Sequence, residues 1–276
     1  MGPGIEIWID LAEATWLDAL YDNAKTVFQD NSLPSHDHTH HLRVWNLCKT
    51  LLREIATFNS RIDPYLVEGT LIAAFFHDLG MASSMREDHG GLGSKLCLKW
   101  FRDTGRVWPE RKEEILRAIE LHDRKDRQIY KSFLPDNPPE ILGILSVADD
   151  LEALGTIGIY RYAEIYLMRG IPLEELGTRI LENVRIRFEK LSDGCRLCEG
   201  LVEKSRKEYD ELCSFFEQYK LQLLTVSKAD AVSSGPLGVI NYIRRQGLDK
   251  AELDLAESDV RDYVIKLEYE LDQARL

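Results

Sequence analysis

Apolar residues recur along this chain at spacings of three and four, with charged residues between them, and alternating runs bounded by Asn-Gly or Asp-Gly turns are hardly found. The pattern predicts an all-α protein. A first amphipathic helix is expected from about Asp10 to Gln29, with Trp16, Leu20, Ala24, Val27 and Phe28 on one side, before a break at Asn31-Ser32-Leu33-Pro34. Ser35 is placed to cap a second helix through Val44, Leu47, Leu51 and Ile55, and Asp63-Pro64 opens a third that closes at Gly80. The polar, glycine-rich stretch from Met81 to Gly93 reads as a loop over a site, leading into a helix through Leu96 to Phe101. Pro109 starts a helix with Ile115, Ala118, Ile119 and His122 on its apolar face, and Pro138-Pro139-Glu140 starts the one that delivers Asp149. Pro172 precedes a long pair, Leu173 to Leu191 and about Arg196 to Leu224. A linker-like composition from Ser227 to Pro236 sets off a tail with two short helices, Leu237 to Gln246 and Ser258 to about Gln273. Residues 1–226 are expected to form the functional domain and residues 227–276 a helical appendage of unknown role.

Composition narrows the classes of function. A chain of 276 residues, 44% hydrophobic and 30% charged, can bury a sizeable core, and no apolar run approaches the roughly 18 residues of a membrane span. No signal peptide is readable at the N-terminus and Glu6 spoils a myristoylation pattern, so a cytoplasmic location is the default expectation. Thirty-five basic against forty-seven acidic residues leave a net charge of −12, which opposes attraction to nucleic-acid polymers and anionic membranes. A small substrate is favoured. The odd number of cysteines, five, reads as reduced thiols, and Cys195 and Cys198 form a lone CxxC without a second pair to complete a zinc site.

Candidate chemistry lies in three segments. SHDHTHHLRVW holds four histidines, of which His36 and His40 would share a helical face; Val44 and Leu47 continue the stripe of His40, which is therefore the ligand candidate, with His36 at the rim. His77-Asp78 follows the apolar run LIAAFF, so an unpaired carboxylate at Asp78 would be costly unless a cation meets it. Asp149 follows Leu142, Leu145 and Ala148 on one stripe and poses the same problem, whereas Asp150 is expected to point away towards solvent. One divalent ion held by His40, His77, Asp78 and Asp149 answers all of them.

These residues carry a resemblance to the HD-domain metal-dependent phosphohydrolases. His40 stands in a His-x-x-Arg-Val context with Arg43 and Val44, His77-Asp78 is followed by Leu79-Gly80, and Asp149 opens Asp-x-Leu-x-Ala-x-Gly running on to Ile157-Gly158. The chain is most similar to a bacterial subgroup with His-Asp-x-x-His before Arg-Val, here His36-Asp37, and the likeness covers roughly residues 10 to 220. It implies an HD-domain-like helical bundle that releases phosphate from a small phosphoester or nucleotide by attack of a metal-bound water. His89 and His122 occupy positions that resemble those binding a second ion in binuclear members, bridged by Asp78.

Mixed imidazole and carboxylate ligation suits manganese, iron, cobalt, nickel or zinc better than magnesium. In the catalytic reading Asp78 or Asp149 orients the water and His36 donates a proton to the leaving oxygen. Arg86, Lys95, Arg124, Lys125 and Arg127 are candidates to hold phosphate. Two alternatives stand beside it: a di-iron oxygenase of the same architecture, and a non-catalytic metal- and nucleotide-binding sensor. Substrate identity and oligomeric state are not encoded legibly in the sequence.

Overall fold

The computed structural model describes residues 4–29, 33–84, 88–124, 129–195, 198–246 and 257–273. Eleven α-helices run through them, and no strand occurs among the described residues. Two compact units form, residues 1–152 with 190–202 and residues 153–189 with 203–276.

The first unit is built from α1 (Gly4–Val27), α2 (His38–Phe58), α3 (Pro64–Phe76), α4 (His89–Thr104), α5 (Lys112–Leu121) and α6 (Ile141–Glu152). Its centre is α3, against which α1, α2, α4, α5 and α6 all pack. The sequence of α3 explains that place: Leu66, Val67 and every residue from Gly69 to Phe76 are buried, so the helix has no polar face to give to water. Asp63 fixes its start by accepting from the Leu66 N–H at 2.7 Å. Ile5 and Ile9 extend the buried stripe Ala12, Trp16, Leu20 and Ala24, which is why α1 begins at Gly4 and not at Asp10.

Three local expectations are corrected. The cap of α2 is Asp37, whose carboxylate accepts from the Thr39 and His40 N–H groups, while Ser35 lies in the preceding 3₁₀ turn, Pro34–His36. The third helix stops at Phe76, and a 3₁₀ turn from Leu79 to Ala82 follows the His-Asp pair. The glycine-rich loop is shorter than expected, because α4 starts at His89 and takes Gly90, Gly91 and Gly93 into its first turns. A Cβ at Gly90 would stand 2.7 Å from the Glu120 carbonyl oxygen, and one at Gly93 would collide with that of Phe76. These glycines let α4 lie with its backbone against α5 and the end of α3, which outweighs their poor helix propensity.

The second unit contains α7 (Gly155–Met168), most of α8 (Leu173–Gly194) and α9 (Glu199–Thr225), and the tail helices α10 (Gly235–Gln246) and α11 (Ser258–Gln273). Phe188 of α8 stacks on Tyr209 of α9 at 4.1 Å between ring centroids, and the Tyr219 hydroxyl donates to the Leu173 carbonyl at 2.9 Å, fixing an antiparallel pair. Both α10 and α11 pack on α7. Cys195, after α8, and Cys198, before α9, belong to the first unit and are buried, and burial pushes the Cys198 thiol up to about 11 and that of Cys195 well above its ordinary range. No helix among the described residues is long and apolar enough to cross a membrane.

Candidate metal centre

Five helices of the first unit bring their ionisable residues to one point. His40 comes from the first turn of α2, and His77 and Asp78 come from the end of α3. His89 opens α4, His122 follows the last residue of α5, and Asp149 lies on α6. All six are buried. His77 keeps helical backbone angles, and its N–H still reaches the Ala73 carbonyl; Asp78 departs from the helix at φ −106°, ψ 5°. That departure leaves the carboxylate between two groups of ligand atoms. Its Oδ2 lies 3.4 Å from His40 Nε2 and 3.4 Å from His77 Nε2, and its Oδ1 lies 3.3 Å from His89 Nε2 and 3.1 Å from His122 Nε2. Asp149 Oδ1 is 3.9 Å from His77 Nε2. Each set, His40, His77, Asp78 and Asp149 or Asp78, His89 and His122, has its ligand atoms within 4.8 Å of one another and could hold a metal ion.

Hydrogen bonding at the far side of each ring tests whether a cation fits. His77 Nδ1 is 2.9 Å from the Ala74 carbonyl and His122 Nδ1 is 2.8 Å from that of Ile119. A carbonyl only accepts, so both rings carry their proton at Nδ1 and turn an Nε2 lone pair inward. There both face the Asp78 carboxylate, which only accepts: His77 Nε2 is 3.4 Å from Asp78 Oδ2 and His122 Nε2 is 3.1 Å from Asp78 Oδ1, with His40 Nε2 and His89 Nε2 beside them at 3.1 and 3.4 Å. Lone pair against lone pair is repulsive unless positive charge lies between. Protons can supply it by making imidazolium rings; a divalent ion supplies it at neutral pH without charging them. Ligands at bond lengths of ~2.0–2.1 Å, set at right or tetrahedral angles, stand about 2.8–3.4 Å apart, which is the spacing found between Asp78 and the four imidazoles, while Asp149 lies further out, 3.9 Å from His77.

The electrostatics agree. Without an ion, protons on the rings would supply that charge: burial alone would push the Asp78 carboxyl up, but a charged His77 beside it and hydrogen bonds that protonated His122, His40 and His77 rings would donate hold it well below the usual carboxylate range. Burial would lower His77, yet Asp78 and Asp149 raise it above the ordinary imidazole value. His41, one residue past the ligand candidate, faces the core instead: it shares the Ala74 carbonyl with His77, at 3.0 Å, and burial with the neighbouring His77 and His40 holds it well below its ordinary value.

Other candidates fall in different places. His36 reaches the site from the 3₁₀ turn and not from the face of α2, with Nε2 3.9 Å from Asp78 Oδ2 and Nδ1 2.5 Å from the Ser35 hydroxyl. Asp150 is buried, contrary to the expectation that it faces solvent, because α6 is enclosed on nearly every side. Lys95 and Arg124 are exposed, and Arg86, Lys125 and Arg127 lie outside the described residues. Sequence reasoning passed over Glu152. It follows Asp149 by three residues on α6, is buried, accepts from Arg43 Nε at 2.6 Å, and places Oε2 3.3 Å from His40 Nδ1. Its spacing from Asp149, which puts both carboxylates on one side of α6, is the signal that points to it.

A helical bundle with a buried centre of four imidazoles and two carboxylates, able to hold divalent metal, is the class this unit defines. The model of the HD domain matches residues 38–154, which span α2 to α6 and every ligand candidate, so this segment is similar to HD domains. Comparison with curated proteins and with solved structures found no match.

Proposed function

We propose that the chain is a divalent-metal-dependent phosphohydrolase acting on a small phosphoester or nucleotide, with residues 1–226 as its catalytic domain and residues 227–276 as an accessory tail. The observation that carries the reading is the division of Asp78 between two ligand sets, one oxygen towards His40 and His77 and the other towards His89 and His122. Four imidazoles and the Asp78 and Asp149 carboxylates would hold two ions of manganese, iron, cobalt, nickel or zinc, which would lower the pKa of water and neutralise the charge of a phosphoryl group. Asp149 accepts a hydrogen bond from the attacking water and orients it, and Asp78 fixes the two halves of the centre against each other. His36 Nε2, at the edge of the cluster, carries the proton that the leaving oxygen takes, while the Ser35 hydroxyl holds the opposite ring nitrogen. Burial of the whole set keeps bulk water out and strengthens each of these interactions. Lys95 and Arg124, together with Arg86, Lys125 and Arg127, supply cations for the substrate's remaining phosphate charge.

Metal analysis of the untreated protein, followed by a phosphate-release screen over nucleotides and small phosphoesters with manganese, cobalt or nickel added, tests the reading. The expected result is release that chelation stops and one of these metals restores; release indifferent to chelation, or none with any metal and substrate, overturns it. The same four imidazoles and two carboxylates also suit two irons that activate dioxygen. Bound iron with oxygen uptake in place of phosphate release identifies that second reading.

A further inference from the structure

His40 differs from the other two well-defined ligand candidates at the back of its ring. His77 and His122 stand at helix ends, where a main-chain carbonyl is free to take the Nδ1 proton. His40 lies in the first turn of α2, its Nδ1 is fully buried, and it makes no hydrogen bond among the described residues. The group that faces it is Glu152 Oε2 at 3.3 Å. We infer that Glu152 is a positioning residue for His40: its carboxylate accepts from the Nδ1–H and so directs the Nε2 lone pair at the ion shared with His77, Asp78 and Asp149.

The surroundings of Glu152 are arranged for that task. Arg43 Nε donates to Glu152 Oε1 at 2.6 Å, and Oε2 faces the histidine. Arg43 Nη1 donates to the Thr39 hydroxyl at 2.9 Å, and that hydroxyl donates to Asp37 Oδ1 at 2.6 Å. Asp37 caps α2 and accepts from the backbone N–H of His40 itself, at 3.3 Å. The chain of contacts thus leaves the His40 ring and returns to the His40 backbone, setting both the orientation of the ring and the place from which it projects. Arg43 has a second effect. With Asp78 and Asp149 it would otherwise be three carboxylates, and no guanidinium, that shared one buried region; the Arg43–Glu152 pair adds no net charge. A carboxylate behind a ligating imidazole is a stronger acceptor than a carbonyl and makes the ring a better donor to metal, so loss of such a partner weakens binding about 10–100-fold.

This inference rests on the metal-centre reading and not on phosphate release, and its test uses no substrate. Full-length protein, stripped with chelator, is titrated with manganese or zinc by calorimetry, as the native chain and as Glu152→Gln. The expected result is a loss of about 10–100-fold in affinity with an unchanged helical spectrum. A purely structural role would lower the melting temperature in chelator and leave affinity within about 2-fold of native, which would overturn the proposal. Should Glu152→Gln fail to fold because Arg43 is left unpaired, Arg43→Met/Glu152→Gln removes both charges together and is held to the same expectation. In the zinc-loaded chain, ring NMR is expected to show the His40 Nδ1 proton shifted downfield in the native protein and moved upfield in Glu152→Gln; a proton on Nε2, or an Nδ1 proton unmoved by the substitution, overturns the assignment. A chain that binds metal as expected but releases no phosphate refutes the proposed function and leaves this role for Glu152 intact.

Discussion

Each unit of the molecule gathers carboxylates in a partly or fully buried place, and the two clusters behave in opposite ways. In the first unit Asp78 faces imidazole nitrogens whose protons are turned onto main-chain carbonyls, and its carboxyl is held well below the ordinary range. In the second, Glu208, Glu211 and Glu270 collect near the start of α7 among groups that donate. Thr156 Oγ1 donates to Glu270 at 3.0 Å, the Ile157 N–H reaches the same carboxylate, and Lys266 pairs with Glu211 and lies 3.7 Å from Glu270. Burial there raises both Glu208 and Glu270. Acidic density is therefore a poor sign of an ion site. What sets the first cluster apart is that the His77 and His122 nitrogens present lone pairs to the Asp78 carboxylate, and added positive charge relieves that.

Removal of one carboxylate from each cluster breaks the comparison most sharply. Asp78→Ala takes an oxygen from both ligand sets, so we expect metal analysis to find neither ion retained and metal-dependent phosphate release to fall by at least ~10²-fold. Glu211→Ala, in the second unit, is expected to leave metal content and turnover at native levels. Equal loss in the two variants would show that the clusters do not differ in kind.

Chelation gives the next effect. At a free ion concentration of about 100 times Kd, binding to the folded state adds ~2.7 kcal/mol, which chelator removes from the native protein. The same chelator should leave the melting temperature of Asp78→Ala unmoved. A native protein whose melting is indifferent to chelator would mean that protons already satisfy the centre.

Much of this arrangement is legible in the sequence, for identifiable reasons. The all-helical class follows from the apolar periodicity, and the convergence of His40, His77, Asp78 and Asp149 follows because each stands on or ends an apolar stripe where a lone charge would be costly. Glu152 is only half legible: its spacing of three from Asp149 puts it on the same side of α6, but the arginine that fixes it is 109 residues away along the chain. His36 reaches Asp78 through a 3₁₀ turn, which no helical face calculation describes. The glycines after His89 read as a loop because Gly is a weak helix former, and the backbones of α5 and α3 explain Gly90 and Gly93.

That last point yields a third test. In Gly93→Ala the new methyl group meets the Phe76 carbonyl, stands 3.1 Å from that of His77 and 3.2 Å from Ile119 Cγ2, so α4 must move outward or the end of α3 must yield. A loss of about 1–3 kcal/mol is expected from thermal or urea unfolding. Because α4 carries His89, the ion at His89 and His122 should weaken more than the one at His40 and His77. Native stability and two native affinities in this variant would mean that the close approach of α4 has no part in building the centre.

The smallest effect concerns pH and the second cluster. Burial lifts Glu208, the like charges of Glu270 and Glu211 add to it, and Lys204 and Lys266 oppose; Glu270 is lifted by burial as well. A raised carboxyl binds its proton more tightly in the folded state than in the unfolded one. Its contribution to stability is present below the ordinary glutamate value of about 4.3 and is lost as pH rises through the raised value. Glu208→Gln keeps the shape without the charge. It should therefore gain about 0.5 kcal/mol over the native chain near pH 7 and nothing near pH 4, as read by urea unfolding of chelator-treated protein at both pH values. Metal affinity at the first cluster must run the other way, weakening as acid protonates the imidazoles that hold the ion. A Glu208→Gln gain that is equal at the two pH values would remove burial as the cause of the second cluster's behaviour, and with it the electrostatic half of the contrast.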